Sequence, residues 1–213
     1  MKGLIRYDLL QLRCGVKGAF VCIYLGVIGV LSFVSDVGSV FSCLFVFLSA
    51  MFGVASFSYE EQTDWNRYTS AMPLTVRQIV LARYGSIAVC IALGMAAGAL
   101  TAALAFVSGT ADLAFADWLL LFVNSLLGAI LYMECLIPLM YRLGAEKGRI
   151  AMLLVFGVLF GVLSALANFM ELGVEAQAAQ AGLYLTVGFA AVVLALLPVS
   201  AALSVRIRAK REF

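Results

Sequence analysis

IVLARYGSIAVCIALGMAAGALTAALAFV, residues 79–107, holds a single charge, Arg83. The run exceeds the stretch of about 20 apolar residues that a helix needs to cross a bilayer's hydrocarbon core. The whole chain has the same character: of 213 residues, 64% are hydrophobic and 12% charged, against roughly 45–50% and 25% in soluble domains. A water-soluble fold could not cover that much apolar surface. Five more apolar segments surround the first, at 18–34, 39–57, 118–141, 150–167 and 182–204. Those at 18–34 and 150–167 are short, a mismatch that tilt or local bilayer adjustment absorbs at small cost. The expected fold is all-α and integral to the membrane: one domain over residues 1–213 with six transmembrane helices, which puts both termini on the same face. Lys2, Arg6, Asp8, Arg13 and Lys17 precede the first apolar run and no small-residue cleavage pattern closes it, so it reads as a retained span rather than a secretory signal.

The basic residues orient these spans. Lys2, Arg6, Arg13 and Lys17 precede the first; Arg67, Arg77 and Arg83 lie in or beside the second-to-third connection; Arg142, Lys147 and Arg149 lie in the fourth-to-fifth; Arg206, Arg208, Lys210 and Arg211 form the tail. The alternate connections hold Asp36, Asp112, Asp117, Glu171 and Glu175 and no basic residue. By the positive-inside rule both termini and the 59–84 segment face the cytoplasm. The five cysteines, Cys14, Cys22, Cys43, Cys90 and Cys135, fall in or before spans, where a disulfide is not expected and small packing roles are. The chain has no histidine, which removes Ser-His-Asp and Cys-His catalysis and every histidine-ligated metal site.

Residues 1–17 form an amphipathic pattern, with Ile5, Leu9, Leu12 and Val16 on one stripe and Lys2, Arg6, Arg13 and Lys17 along its edge. Such a helix lies in the headgroup plane, with its basic stems toward membrane lipid. Gly94 and Gly98, continued by Ala102, line one face of the third span; Gly157 and Gly161, continued by Ala165, line one face of the fifth. Glycine at this spacing lets backbones approach closely. Packing within one subunit is the expected use, and a subunit seam the alternative, above all at Gly157 and Gly161. Glu134 is the one carboxylate well inside a span, and such residues face protein or water and often serve a pathway. A structural role is the competing reading. Pro138, one turn on, leaves the Glu134 carbonyl without its helical donor. Asn124, on the same span, reads as an interhelical hydrogen-bond donor before a pathway ligand.

The longest polar interruption is YEEQTDWNRYTSAMPLTVRQ, residues 59–78. Ser58 with Glu61 is a capping box opening a short helix; Pro73 ends that helix, and Thr75 with Gln78 is a second box opening the third span. Trp65, Tyr68 and Met72 project to one side of the short helix, with Glu61 near them and Asp64 and Arg67 flanking. Interfacial anchoring explains aromatics at a membrane boundary. An aromatic centre ringed by charge and held between two caps is better suited to docking a partner.

Between its second and third spans the chain carries Glu60, Glu61, Asp64, Trp65, Tyr68, Ser70, Pro73, Thr75, Ile79, Val80, Arg83 and Tyr84. This pattern resembles that of small six-span bacterial permeases of the ATP-binding-cassette type-2 family. The basic amphipathic N-terminus and the six spans are similar as well. One departure is Val76: the family often has arginine directly after the Ser/Thr, whereas here the basic residue is Arg77, turned about 100° further round a helix. The resemblance implies an exporter subunit in a bacterial cytoplasmic membrane, moving peptides or lipophilic compounds. It implies that the 58–78 loop seats a coupling helix in a cytoplasmic ATPase subunit, and that a second permease subunit, identical or not, completes the transporter. On that reading the partner-binding positions are Glu60, Glu61, Asp64, Trp65, Tyr68, Pro73, Thr75 and Arg77. The chain lacks the phosphate-binding G-x-x-x-x-G-K-[ST] loop, so ATP and Mg are expected on the partner and no cofactor, metal or nucleic acid on this chain. The alternative from another class is a proton-coupled secondary transporter using Glu134. It would account for the buried acid but not for the aromatic-acidic loop. A membrane-embedded protease is discarded: Trp65 stands where the Glu-Glu-x-x-x-Arg motif needs arginine, and histidines are absent.

Overall fold

The computed structural model describes residues 3, 4, 6–8, 10, 26, 43–53, 57, 75–109, 114–144, 147, 148, 150, 151, 153–158, 161 and 178–210, nearly all of them helical. Four elements organise them: α1 (Cys43–Gly53), α2 (Val76–Ser108), α3 (Phe115–Leu143) and α4 (Ala178–Ala209). The last three are long and apolar enough to cross a membrane; they fall on the segments predicted at 79–107, 118–141 and 182–204. α1 occupies the middle of the segment predicted at 39–57. The segment at 18–34 lies largely outside the described residues and that at 150–167 partly so, while Ile5, Leu9, Leu12 and Val16 of the N-terminal stripe lie outside them.

Local chemistry sets the ends. Thr75 and Gln78 form the reciprocal capping box read from the sequence: Gln78 N–H donates to Thr75 Oγ1 at 3.4 Å and Thr75 N–H to Gln78 Oε1 at 3.2 Å. Two of the donors left over at a helix start are satisfied in this way. α2 ends at Gly109 and α3 at Gly144, both with positive φ, 72° and 81°, where only glycine is free of a Cβ penalty.

Ring and hydrogen-bond pairs fix the topology. Phe106 near the end of α2 packs edge-on against Phe115 and Trp118 at the start of α3, so these two helices are antiparallel. Asn124 meets Thr186, Glu134 meets Ser200, and Tyr141 lies under Arg208, so α3 and α4 run in the same direction. α1 runs antiparallel to α2, with Ser49 and Phe45 against Gly94, and Gly53 against Ile87. Phe57 and Thr75 thus lie at one end of the bundle, here the loop end, together with Leu143 and Ala209. All the basic residues among the described ones, from Arg6 through Arg77, Arg83, Arg142 and Lys147 to Arg206, Arg208 and Lys210, lie toward that end; Asp117 marks the other.

The core is built from α1, α2 and α3, with Val46, Val80, Ile87, Tyr132, Leu136 and Ile137 fully buried. α4 turns Leu183, Leu185, Val187, Leu194 and Val199 outward, a surface suited to hydrocarbon. The two glycine ladders differ. Gly94 and Gly98 are buried, and a Cβ on Gly94 would stand 2.7 Å from the Phe45 carbonyl oxygen and 2.6 Å from Ser49 Cβ; the predicted packing within one subunit holds there. Gly157 and Gly161 are exposed, and a Cβ on either would meet nothing within 4 Å among the described residues. Because the obstruction at Gly94 is backbone, Gly94→Ala should force α1 outward and destabilise the protein by about 1–3 kcal/mol. Gly188→Ala, in open space, should leave the midpoint unchanged. Thermal unfolding in a mild detergent measures both.

Candidate functional site at the loop end

Glu60, Glu61, Asp64, Trp65, Tyr68 and Pro73 lie outside the described residues. The structure describes the ground on which that segment stands. Thr75 caps α2, and Arg77 is exposed in its first turn. Two turns further on, Arg83 is buried, though it is charged. Its Nη1 lies 3.4 Å from Asp8 Oδ2, an ion pair buried on both sides, and its guanidinium sits 4.6 Å from the centre of the Phe57 ring. Phe57 in turn meets Tyr141 edge-on at 5.2 Å. The residues that bracket the 58–74 segment, Phe57 before it and Arg83 after it, are thereby joined to each other and to the N-terminal segment. Burial pushes the Asp8 carboxyl above its ordinary value, and Arg83 and the Ser86 hydroxyl oppose that push. The pair is therefore tuned by two effects of opposite sign.

A second cluster lies deeper. Pro138 has no N–H for the carbonyl four residues back, and α3 nevertheless continues through it. The Glu134 carbonyl takes its hydrogen bond from Ser200 Oγ on α4, at 2.5 Å. Ser200 also meets the Tyr84 hydroxyl at 2.6 Å. A serine has one hydroxyl hydrogen; since Ser200 gives it to Glu134, Tyr84 is the donor to Ser200. Ser204 then supplies the Tyr84 oxygen, at 3.3 Å. The sequence Ser204, Tyr84, Ser200, Glu134 carbonyl is a directed chain of hydrogen bonds through three helices.

The Glu134 side chain is separate from that chain. It is 3% exposed, and neither carboxylate oxygen has a hydrogen-bond partner among the described residues. Asn124 donates from Nδ2 to Thr186 Oγ1 at 3.1 Å; it joins α3 to α4 several turns from Glu134. Among the described residues no group of acids and cysteines is arranged to hold a metal ion.

Sequence reasoning passed over Asp8, Ser200 and Ser204. Asp8 was legible as the lone acid in a basic amphipathic segment. Ser200 was legible only through Pro138, whose orphaned carbonyl calls for a donor from a neighbouring helix.

These helices define a multi-pass membrane protein. A family model described as ABC-2 family transporter protein matches residues 3–208, and the chain belongs to that family, as a membrane subunit of an ABC transporter. No curated protein and no solved structure matches it.

Two substitution sets test the site. Removing one partner of a buried ion pair strands the other, so Asp8→Asn or Arg83→Met alone should each cost about 3–5 kcal/mol, while the double change to apolar residues should cost much less than their sum. Ser200→Ala strands the Glu134 carbonyl, takes from the Tyr84 hydroxyl the nearer of its two partners, and should cost about 1–3 kcal/mol; Ser200→Thr, which restores the hydroxyl, should recover most of it. Denaturant titration of the purified chain reads both sets.

Proposed function

We propose that this chain is the permease subunit of an ATP-driven exporter and that its 58–78 loop couples the spans to a separate ATPase subunit. The observation that carries the reading is the joint at Arg83. A docked loop can move spans only if its two ends are stiff. The Thr75–Gln78 box stiffens the start of α2, and Arg83 ties α2 to Phe57 and to Asp8. Force entering through Trp65 and Tyr68 would then reach α2 and the N-terminal helix together.

Sidedness follows from charge. The clustering of basic residues at the loop end supports placing that end, and both termini, in the cytoplasm. The shared direction of α3 and α4 requires an odd number of crossings between them, which supports a fifth span at 150–167 and a total of six. One permease domain over residues 1–213 is then embedded in the cytoplasmic membrane of a bacterium, in contact with its lipid. Nucleotide chemistry, with ATP and Mg, resides on the partner. A second permease subunit completes the transporter, and exposed Gly157, with open space at its Cβ, suits the seam between them.

The buried, unpartnered Glu134 favours a second reading, a carrier driven by protons. The two part company in sealed vesicles. An ATPase-coupled exporter requires nucleotide and its partner and tolerates a protonophore; a proton-driven carrier requires neither and stops when the gradient collapses. In mild detergent a nucleotide-binding protein should co-purify with the chain. Trp65→Ala, truncating the aromatic centre of the loop, should weaken that association by about 2 kcal/mol or more. Transport by the chain alone, without nucleotide, would overturn the reading.

A further inference from the structure

We propose that the Glu134 carboxylate is a binding subsite for the positively charged head of the transported molecule, which makes the cargo a lipophilic organic monocation such as a long-chain primary ammonium. The proposal rests on the transporter reading and deepens it by naming a substrate class.

Glu134 is buried at 3% exposure with both oxygens unsatisfied among the described residues. A buried group in that condition is costly in either protonation state. As a carboxylate it needs a cation; as a carboxylic acid it still carries an O–H that needs an acceptor. The nearby arginines already have other work, Arg83 on Asp8 and Phe57 and Arg208 over the Tyr141 ring. Among the described residues the cluster thus supplies a carboxyl group without a counter-ion of its own.

The surroundings suit an ammonium. The hydroxyl of Tyr84 lies 2.6 Å from Ser200 Oγ, which donates to the Glu134 carbonyl. Glu134, Pro138 and Tyr141 follow one another at helical spacing on a single face of α3. A carboxylate in these surroundings offers an ammonium an ion pair and hydroxyl acceptors together. The helices that carry these groups are otherwise apolar enough to cross a membrane, so the remainder of the cargo would be hydrocarbon-like. An anionic head would meet repulsion there, and a neutral head would leave the carboxylate unpaired. The residue that carries this carboxylate is the one whose backbone carbonyl accepts from Ser200 of α4, which in turn meets Tyr84 of α2.

The test uses the full chain in nanodiscs of phosphatidylcholine, with empty nanodiscs subtracted. Radiolabelled dodecylamine is the probe, and unlabelled dodecylamine, dodecanol and dodecanoate are competitors of equal chain length. Saturable binding is expected, with the amine competing at least about tenfold better than the alcohol or the carboxylate. E134Q should erase that preference. Equal competition by the alcohol, or a preference that survives E134Q, would overturn the proposal. Should E134Q fail to fold, the wild-type chain still decides: a carbodiimide should couple bound dodecylamine to Glu134 as an amide, located by peptide mass spectrometry. Coupling confined to exposed acids such as Asp117 would overturn it equally. Neither measurement involves an ATPase or nucleotide, so failure here leaves ATP coupling intact, and loss of ATPase association leaves this site intact.

Discussion

Hydrocarbon tolerates no unsatisfied backbone group, and that constraint explains why three helices of this protein meet where they do. Pro138 removes one donor from α3 little more than a turn before its loop end. The Glu134 carbonyl that it orphans cannot turn to water, so it must find a donor on a neighbour. Ser200 supplies it, and in doing so becomes the acceptor for Tyr84. A gap in one helix is thereby converted into a bond among α2, α3 and α4. Hydrogen bonds in series polarise one another in a low-dielectric interior, which gives this joint a direction as well as a location.

The second joint obeys a different rule. Asp8 and Arg83 are charges withdrawn from water, a costly arrangement that is held by mutual attraction and by the ring of Phe57. Its value lies in where it acts. Phe57 and Arg83 stand on either side of the 58–74 segment, and Asp8 belongs to the N-terminal helix. A single guanidinium holds together three parts of the chain that a docked partner would have to move in concert.

Much of this was legible in the sequence, and the exceptions have physical causes. The spans at 79–107, 118–141 and 182–204 were readable because a bilayer demands long apolar runs, and the described helices run over all three. The cap at Thr75 was readable because a capping box is a local pattern spanning four residues. The Glu134 vacancy was readable because proline acts at a fixed offset. What fills the vacancy was not: Ser200 is 66 residues away, and nothing in a stretch of apolar residues with scattered serines marks which one faces α3. The same limit applied to Arg83. Its position in a span marked it as unusual, but its partner lies near the N-terminus, and pairing at that separation depends on tertiary approach. The glycine ladders make the point from the other side. Gly94 and Gly157 share a spacing pattern, yet among the described residues α1 lies against Gly94 and nothing lies against Gly157.

The two joints also bear on how cargo and energy could communicate. Arg83 and Tyr84 are neighbours on α2: Arg83 reaches toward Asp8 and Phe57, Tyr84 toward Ser200 and Ser204. On a helix, adjacent residues point about 100° apart, so one rigid turn presents the loop-end ion pair to one side and the hydrogen-bond chain beside Glu134 to another. A rotation or tilt of α2 imposed through the loop cannot change one without disturbing the other. On the proposed reading, a partner at the loop would act on this turn of α2, and cargo at Glu134 on the turn of α3 that the Ser200 hydroxyl joins to it. Thermodynamic linkage then requires each to alter the affinity of the other wherever that turn has two arrangements.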